Sequence, residues 1–214
     1  MESLRAAAQS SLRALLSEAV QQGFQRIGEL IFKSDGSGFT LCHFEDEHRS
    51  DLEVYSSPDD ATTIALYDDA GIYRPLKTAP NLRHGWLLRV ADIKSLHLAL
   101  DLLYPAALAN WRALILGETV ATPLRDTVNR QTGMYRITGL IQDSEAEALI
   151  ERLCKPGCLR QIQWPIPSEA PHKAPKLSEK EIPLLCTDAC CLLIAEARTV
   201  VKARKAAEAA AQSV

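Results

Sequence analysis

The 214-residue chain lacks several features that would place it quickly. It has no run of about 18 apolar residues, so no membrane-spanning helix is expected. Its opening, Met1-Glu2-Ser3-Leu4-Arg5-Ala6, has none of the continuous apolar character of a signal peptide. It has no excess of positive charge; the formal net charge is -3, which argues against a general nucleic-acid binder. No G-x-G-x-x-G, P-loop, G-x-S-x-G or H-E-x-x-H motif occurs. The radical-generating C-x3-C-x2-C pattern and internal repeats are absent too. These absences lead to an expected cytoplasmic protein with neither nucleic acid nor membrane as partner, and with no recognised catalytic motif of its own.

What is present is cysteine. Five of the six cysteines lie in the last third, as Cys154-Lys155-Pro156-Gly157-Cys158 and Cys186-Thr187-Asp188-Ala189-Cys190-Cys191. With 47% hydrophobic and 24% charged residues the chain can build a core without covalent staples. In a reducing compartment, clustered cysteines therefore point to metal or redox chemistry rather than to disulfides.

The two C-x3-C pairs are separated by 27 residues and can supply four thiolates to one centre. The region from about Ile182 to Val201 reads as a helix, which would put Cys186 and Cys190 on one face and turn Cys191 away by about 100° towards the core. Zinc favours tight knuckles, and iron–sulfur clusters accept wider and more scattered sets, so the spacing alone fits either. Cys154 ends a predicted helix and Cys158 follows a Pro-Gly turn, where free backbone N–H groups can reach sulfur. Lys155 and Arg160 lie close by to offset negative charge. Cys42 stands apart in a predicted strand and reads as a small core hydrophobe. His43 and His48, with Glu45, Asp46 and Glu47, could suggest a second metal site, but a charged loop at a strand end explains them more simply.

The remaining pattern is α+β. Residues 3–22 read as an amphipathic helix stopped by Gly23. Arg26–Lys33 and Gly38–Glu45 read as a hairpin around Ser34-Asp35-Gly36-Ser37-Gly38. Leu52–Ser56, Ala61–Asp68 and Leu87–Val90 are further strands, with a turn at Asp68–Gly71. Asp92 caps a helix carrying Ile93, Leu96, Leu100 and Leu103, and a second helix follows Pro105 and ends at Gly117. Asn129–Arg136 reads as a loop leading into a strand through Ile141. Ser144–Glu147 has the form of a capping box opening a helix into Cys154. The expected division is an α+β region over 1–142 and a Cys-rich module over 143–214, with a Pro-rich connector at 165–183.

Cys186–Cys190, followed by Leu192, Leu193, Ile194, Ala195, Ala197 and Arg198, resembles the 4Fe-4S cluster-binding domain of CbiX-type sirohydrochlorin cobaltochelatase-like proteins. Cys154, Cys158, Leu159, Arg160, Ile162 and Trp164 are similar to the other half of that signature. Tyr73–Leu76, Asn81–Trp86, Leu103–Ala106 and Arg130–Arg136 resemble the stabilising region that precedes it. The resemblance implies a [4Fe-4S] cluster held by Cys154, Cys158, Cys186 and Cys190, with zinc as the alternative metal, and Cys191 as a neighbouring thiol that could replace Cys190. The chelatase domains are missing, and His43, His48, His84, His97 and His172 form no chelatase motif, so chelatase activity is not implied. The implied role is redox or accessory, linked to tetrapyrrole metabolism, with a chelatase or redox protein as partner. A purely structural metal site made of the same four cysteines is the other reading. Arg74, Lys77, Arg83, Arg89, Arg125, Arg130, Arg136 and Arg160 are candidates for pairing with a carboxylate-rich tetrapyrrole, and Trp86 and Tyr135 for stacking on it.

Overall fold

The computed structural model describes residues 2–65, 82–155, 158–166 and 180–212. Tyr73–Lys77, Asn81, the Asp68–Gly71 turn, the Pro156-Gly157 stop and most of the Pro-rich connector lie outside the described residues. The fold is α+β and divides into two compact units: Met1–Thr119 with Lys176–Leu185, and Val120–Pro175 with Cys186–Val214. This division falls before the 142/143 boundary expected from sequence, because the segments between carry the hydrophobic surface of the second unit.

The first unit opens with two helices rather than one, α1 (Glu2–Ser10) and α2 (Leu12–Gln21). The break is Ser11, whose extended backbone lets its hydroxyl accept the Ala14 N–H at 3.0 Å. A side-chain cap thus interrupts a periodicity that would otherwise run on. The chain then forms β1 (Arg26–Ile27), β2 (Leu30–Ser34) and β3 (Phe39–His43). The β2–β3 turn is fixed by the Asp35 carboxylate, which accepts from the N–H groups of Ser37 and Gly38 at 2.9 Å each, and Gly36 supplies the positive φ of 84°.

Glu53–Tyr55 (β4) and Trp86–Val90 (β5) complete the main sheet, whose order is β4-β5-β3-β2-β1 and then the short strand Glu181–Ile182. β4 runs parallel to β5, and Glu181–Ile182 runs parallel to β1; the other pairings are antiparallel. Ala61–Ile64 is a short helix, α3, and not the start of a strand. Ser57 and Asp60 form a capping box just ahead of it, and this local closure overrides the β-branched run Thr62-Thr63-Ile64.

Helices α4 (Ile93–Leu103) and α5 (Ala107–Leu116) follow, α4 starting where Asp92 accepts the Ser95 N–H at 2.7 Å. Leu15, Leu16, Phe32, Leu41, Leu88, Leu96, Leu100 and Trp111 are all buried. Each such side chain contributes about 1.5–3 kcal/mol relative to exposure. Tyr104 is buried at the end of α4, and its hydroxyl accepts the Glu29 N–H at 2.9 Å. Gly28 makes that contact possible, since a Cβ there would lie 2.8 Å from the tyrosine oxygen.

The second unit contains α6 (Leu124–Asn129), a 3-10 segment (Gly133–Leu140), α7 (Asp143–Leu153) and α8 (Cys191–Gln212). The expected strand through Ile141 is therefore helical. Thr138 is completely buried, and its hydroxyl donates to the carbonyls of Tyr135 and Val128. The box that opens α7 is Gln142 with Glu145, two residues ahead of the Ser144 expected to cap it. Val128, Leu149, Trp164, Leu193, Ala197 and Val201 form one hydrophobic core. Arg204 of α8 reaches back to Glu145 and to the Leu140 carbonyl, at 2.9 and 2.8 Å. Among the described residues, no helix is long and apolar enough to cross a membrane.

Candidate metal centre

Cys154 caps the C-terminus of α7, its N–H donating to the Ile150 carbonyl at 2.9 Å. The Cys158 N–H donates back to the Cys154 carbonyl at 3.2 Å, which folds the first pair onto itself. The second pair is not on a helix, contrary to the reading from spacing. Leu185–Cys186 is extended, residues 187–190 form a loop, and α8 begins only at Cys191. Pro183 lacks the N–H a helix would need, and Asp188 accepts the Ala189 N–H at 2.8 Å, turning the backbone locally. The Cys190 carbonyl accepts the Ile194 N–H at 3.1 Å, which puts Cys190 at the positive end of α8.

The fold brings the two pairs together. Burial pushes the Cys154 thiol up to about 12, and negative charge on Cys158, Cys190 and Cys186 pushes it in the same direction. Cys186 is also raised, first by burial and then by Cys158 and Cys190, while a hydrogen bond from Trp164 and the charge of Arg160 act the other way. All four side chains are half-buried, and Cys191 is exposed. Cys191 is turned to solvent instead of packing against the core. Cys42, in the first unit, is buried and pushed up to about 11, chiefly by desolvation, as an inert core thiol should be.

Four side chains that the sequence did not tie to a sulfur, Trp164, Asp188, Thr127 and Arg130, position the second pair. The buried Trp164 indole N–H donates to Cys186 Sγ at 3.4 Å. The Cys186 thiol donates to the Asp188 carbonyl at 3.1 Å. The Asp188 carboxylate in turn accepts from the Thr127 hydroxyl and from Arg130, the latter at 3.1 Å. Trp164 and Arg130 stood in recognisable motifs, but nothing in their spacing tied them to a sulfur.

The arginines expected to meet a tetrapyrrole are mostly engaged in the fold. Arg125 pairs with Asp143 and the Ile141 carbonyl, Arg130 with Asp188, and Arg83 with the Thr63 carbonyl. Arg89 and Arg136 are exposed. Trp86 is buried and cannot stack on an external ring, whereas Tyr135 is exposed and lies under the Arg198 guanidinium. Arg74 and Lys77 lie outside the described residues. A cavity of about 910 Å³ opens beside the first cysteine pair, lined by Cys154, Cys158, Glu147, Glu151, Arg160 and Trp164.

Four thiols drawn to one place from two segments, with hydrogen-bond donors beside them, fit a four-thiolate cluster. The comparisons agree on the class. Residues 11–114 match the DR2241 stabilising domain, and residues 116–199 match the 4Fe-4S iron-sulfur cluster binding domain. The chain is thus an iron–sulfur protein in which a stabilising domain of the DR2241 type precedes a domain that binds a [4Fe-4S] cluster. Its particular likeness is to DR2241 from Deinococcus radiodurans, described as a multi-domain protein with structural similarity to chelatases and two additional novel domains. The likeness has a TM-score of 0.71 at 28% identity and covers 88% of this chain. This chain spans only 41% of that protein. No curated protein matches.

Proposed function

We propose that Cys154, Cys158, Cys186 and Cys190 are the cluster ligands and that the protein is an electron-transfer accessory in tetrapyrrole metabolism, serving a chelatase or redox partner. The observation that carries the ligand assignment is the mutual effect of these thiols, each disfavouring ionisation of Cys154. Such a gathering is costly to charge without a cationic centre, and iron supplies one. Cys190 is favoured over Cys191 because it acts on both Cys154 and Cys186. When bound, the cluster supplies a one-electron couple. Four thiolates leave none of its irons short of a protein ligand, which favours electron transfer over substrate binding. Trp164 and the positive end of α8 stabilise negative charge on sulfur, while the cavity beside Cys154 and Cys158 leaves that side open to a partner. The tetrapyrrole link rests on the resemblance and on the chelatase-like description of DR2241.

The test is anaerobic purification, iron and sulfide analysis, and reversible bleaching by dithionite. About four irons per chain and a reversible one-electron couple support the proposal. A cluster that cannot be reduced and reoxidised leaves a structural role, and about one zinc per chain leaves a structural metal clip. Incubation with sirohydrochlorin tests the metabolic link; it is lost if neither the absorption spectrum nor the melting temperature shifts.

A further inference from the structure

A second group of ligating side chains lies in the first unit, remote in chain position from Cys154, Cys158, Cys186 and Cys190. β3 ends at His43, and the turn after it, Phe44–Asp46, carries Glu45 and Asp46. β5 pairs antiparallel with β3, matching Cys42 with Leu87, so His84 just ahead of β5 comes back beside this turn. The two imidazole rings lie 3.9 Å apart between centroids. One ligand atom from each of His43, Glu45 and His84 lies within 4.8 Å of the other two.

The nitrogens sort themselves. His84 Nδ1 faces Asp46 Oδ1 at 3.6 Å, and its Nε2 faces Glu45 Oε2 at 3.8 Å. His43 Nε2 faces Glu29 Oε2 at 3.9 Å, too far for a hydrogen bond, and has no partner although its side chain is only 2% exposed. His43 Nδ1 meets the Glu45 backbone N–H at a long 3.3 Å. Each histidine therefore turns one nitrogen towards a buried carboxylate, Glu29 or Asp46; the second faces the Glu45 carboxylate in His84 and accepts the Glu45 backbone N–H in His43, a bond that a metal on that nitrogen would replace. Both carboxylates are themselves anchored, Glu29 by the Leu82 N–H at 2.7 Å and Asp46 by Gly85 and Arg49.

A histidine that binds a metal through one nitrogen commonly donates its other N–H to a carboxylate, and here each ring has a carboxylate behind it, at 3.9 and 3.6 Å, just beyond hydrogen-bond distance. The geometry points to a divalent transition-metal site, of the zinc class, with His43 Nδ1, His84 Nε2 and Glu45 as ligands and Glu29 and Asp46 as the carboxylates behind the two rings. Two imidazoles and one carboxylate suit Zn²⁺ or Co²⁺, and the fourth position faces solvent. Bonds of about 2.0–2.2 Å require the ligands to close in slightly. Glu45 and His84, both well exposed, can do so by rotation, while buried His43 supplies the fixed corner.

The test uses cluster-loaded protein carrying Cys191→Ser, so that the four proposed cluster thiols are already occupied and the exposed thiol is removed. Zn²⁺ is titrated anaerobically by calorimetry with metal analysis after desalting, and Co²⁺ absorption identifies the donor atoms. That protein and His48→Ala, an exposed neighbour outside the group, should bind about one Zn²⁺ per chain beyond the iron. His84→Ala and Glu45→Gln should bind it at least about 10-fold more weakly, and Asp46→Asn about 10–100-fold more weakly. Co²⁺ should show nitrogen and oxygen ligation without a thiolate charge-transfer band. Absence of Zn²⁺ uptake by the parent Cys191→Ser protein, undiminished binding by His84→Ala, or a thiolate band would overturn the assignment.

Discussion

The indole nitrogen of Trp164 lies 3.4 Å from Cys186 Sγ and donates its proton to it. A donor aimed at a ligand sulfur stabilises the electron-rich reduced state more than the oxidised one. Trp164→Phe should therefore lower the reduction potential while iron content stays near that of the wild type. A net hydrogen bond of about 0.5–1.5 kcal/mol corresponds to a shift of roughly 20–60 mV for one electron. Potentiometric titration of both proteins checks the direction, and an unchanged potential counts against the contact.

Replacing Cys154, Cys158, Cys186 or Cys190 singly by Ser should cost most of the bound iron and the broad visible absorption. Cys191→Ser should keep both, since that thiol is exposed and plays no part in raising the others. Full iron in Cys190→Ser with loss in Cys191→Ser would reverse the assignment within the adjacent pair.

The raised Cys154 thiol makes a pH prediction. It is still protonated at neutral pH, so ligation must expel a proton and uptake should strengthen as pH rises from about 6 to 9. In the metal-free protein the sign is opposite. The unfolded thiol ionises near 9.0 and the folded one near 12, so the folded state binds more protons in between. The stability contributed is complete below 9 and declines as pH rises towards 12. Urea unfolding of the metal-free protein from about pH 8 to 11 should show a steeper loss for wild type than for Cys154→Ser.

Asp188 ties the cysteine loop to α6 through Thr127 and Arg130. Arg130→Ala should cost less than about 1 kcal/mol, because that ion pair is exposed on both sides. Asp188→Ala also frees the Ala189 N–H and the Thr127 hydroxyl, and should speed iron loss to a chelator clearly more than Arg130→Ala does. Equal rates for the two variants would show that the loop does not depend on this carboxylate.

Tyr104→Phe should destabilise the first unit by about 1–3 kcal/mol, the cost of leaving the buried Glu29 N–H without an acceptor. Iron content of the folded protein should not change. Denaturant unfolding with parallel iron analysis separates the two effects.

The elements legible in the sequence are those whose cause is local. Asp35 and its glycines mark the hairpin, and Asp92 marks the start of α4, because the capping atoms lie within three residues of what they cap. The helical reading of Cys186–Cys190 failed for a related reason. Periodicity saw two cysteines four apart, whereas Pro183 and the Asp188 side chain decide the backbone. Ser57 likewise outweighed the Thr62-Thr63-Ile64 run. The cysteine pairing was legible as a set of donors, but its surroundings were not, since Thr127, Arg130 and Trp164 approach only through packing. His84 is the extreme case. It lies far from His43 in sequence, and only the β3–β5 register makes them neighbours.

The strand Glu181–Ile182 beside β1 sets an order of events during synthesis. Cys154 and Cys158 leave the ribosome before this strand, and Cys186 and Cys190 leave after it. Chains fold as their segments emerge, so the sheet can receive its last strand before the second pair of thiols exists outside the tunnel. The last strand of the first unit therefore lies between the two halves of the thiol set in the order of synthesis.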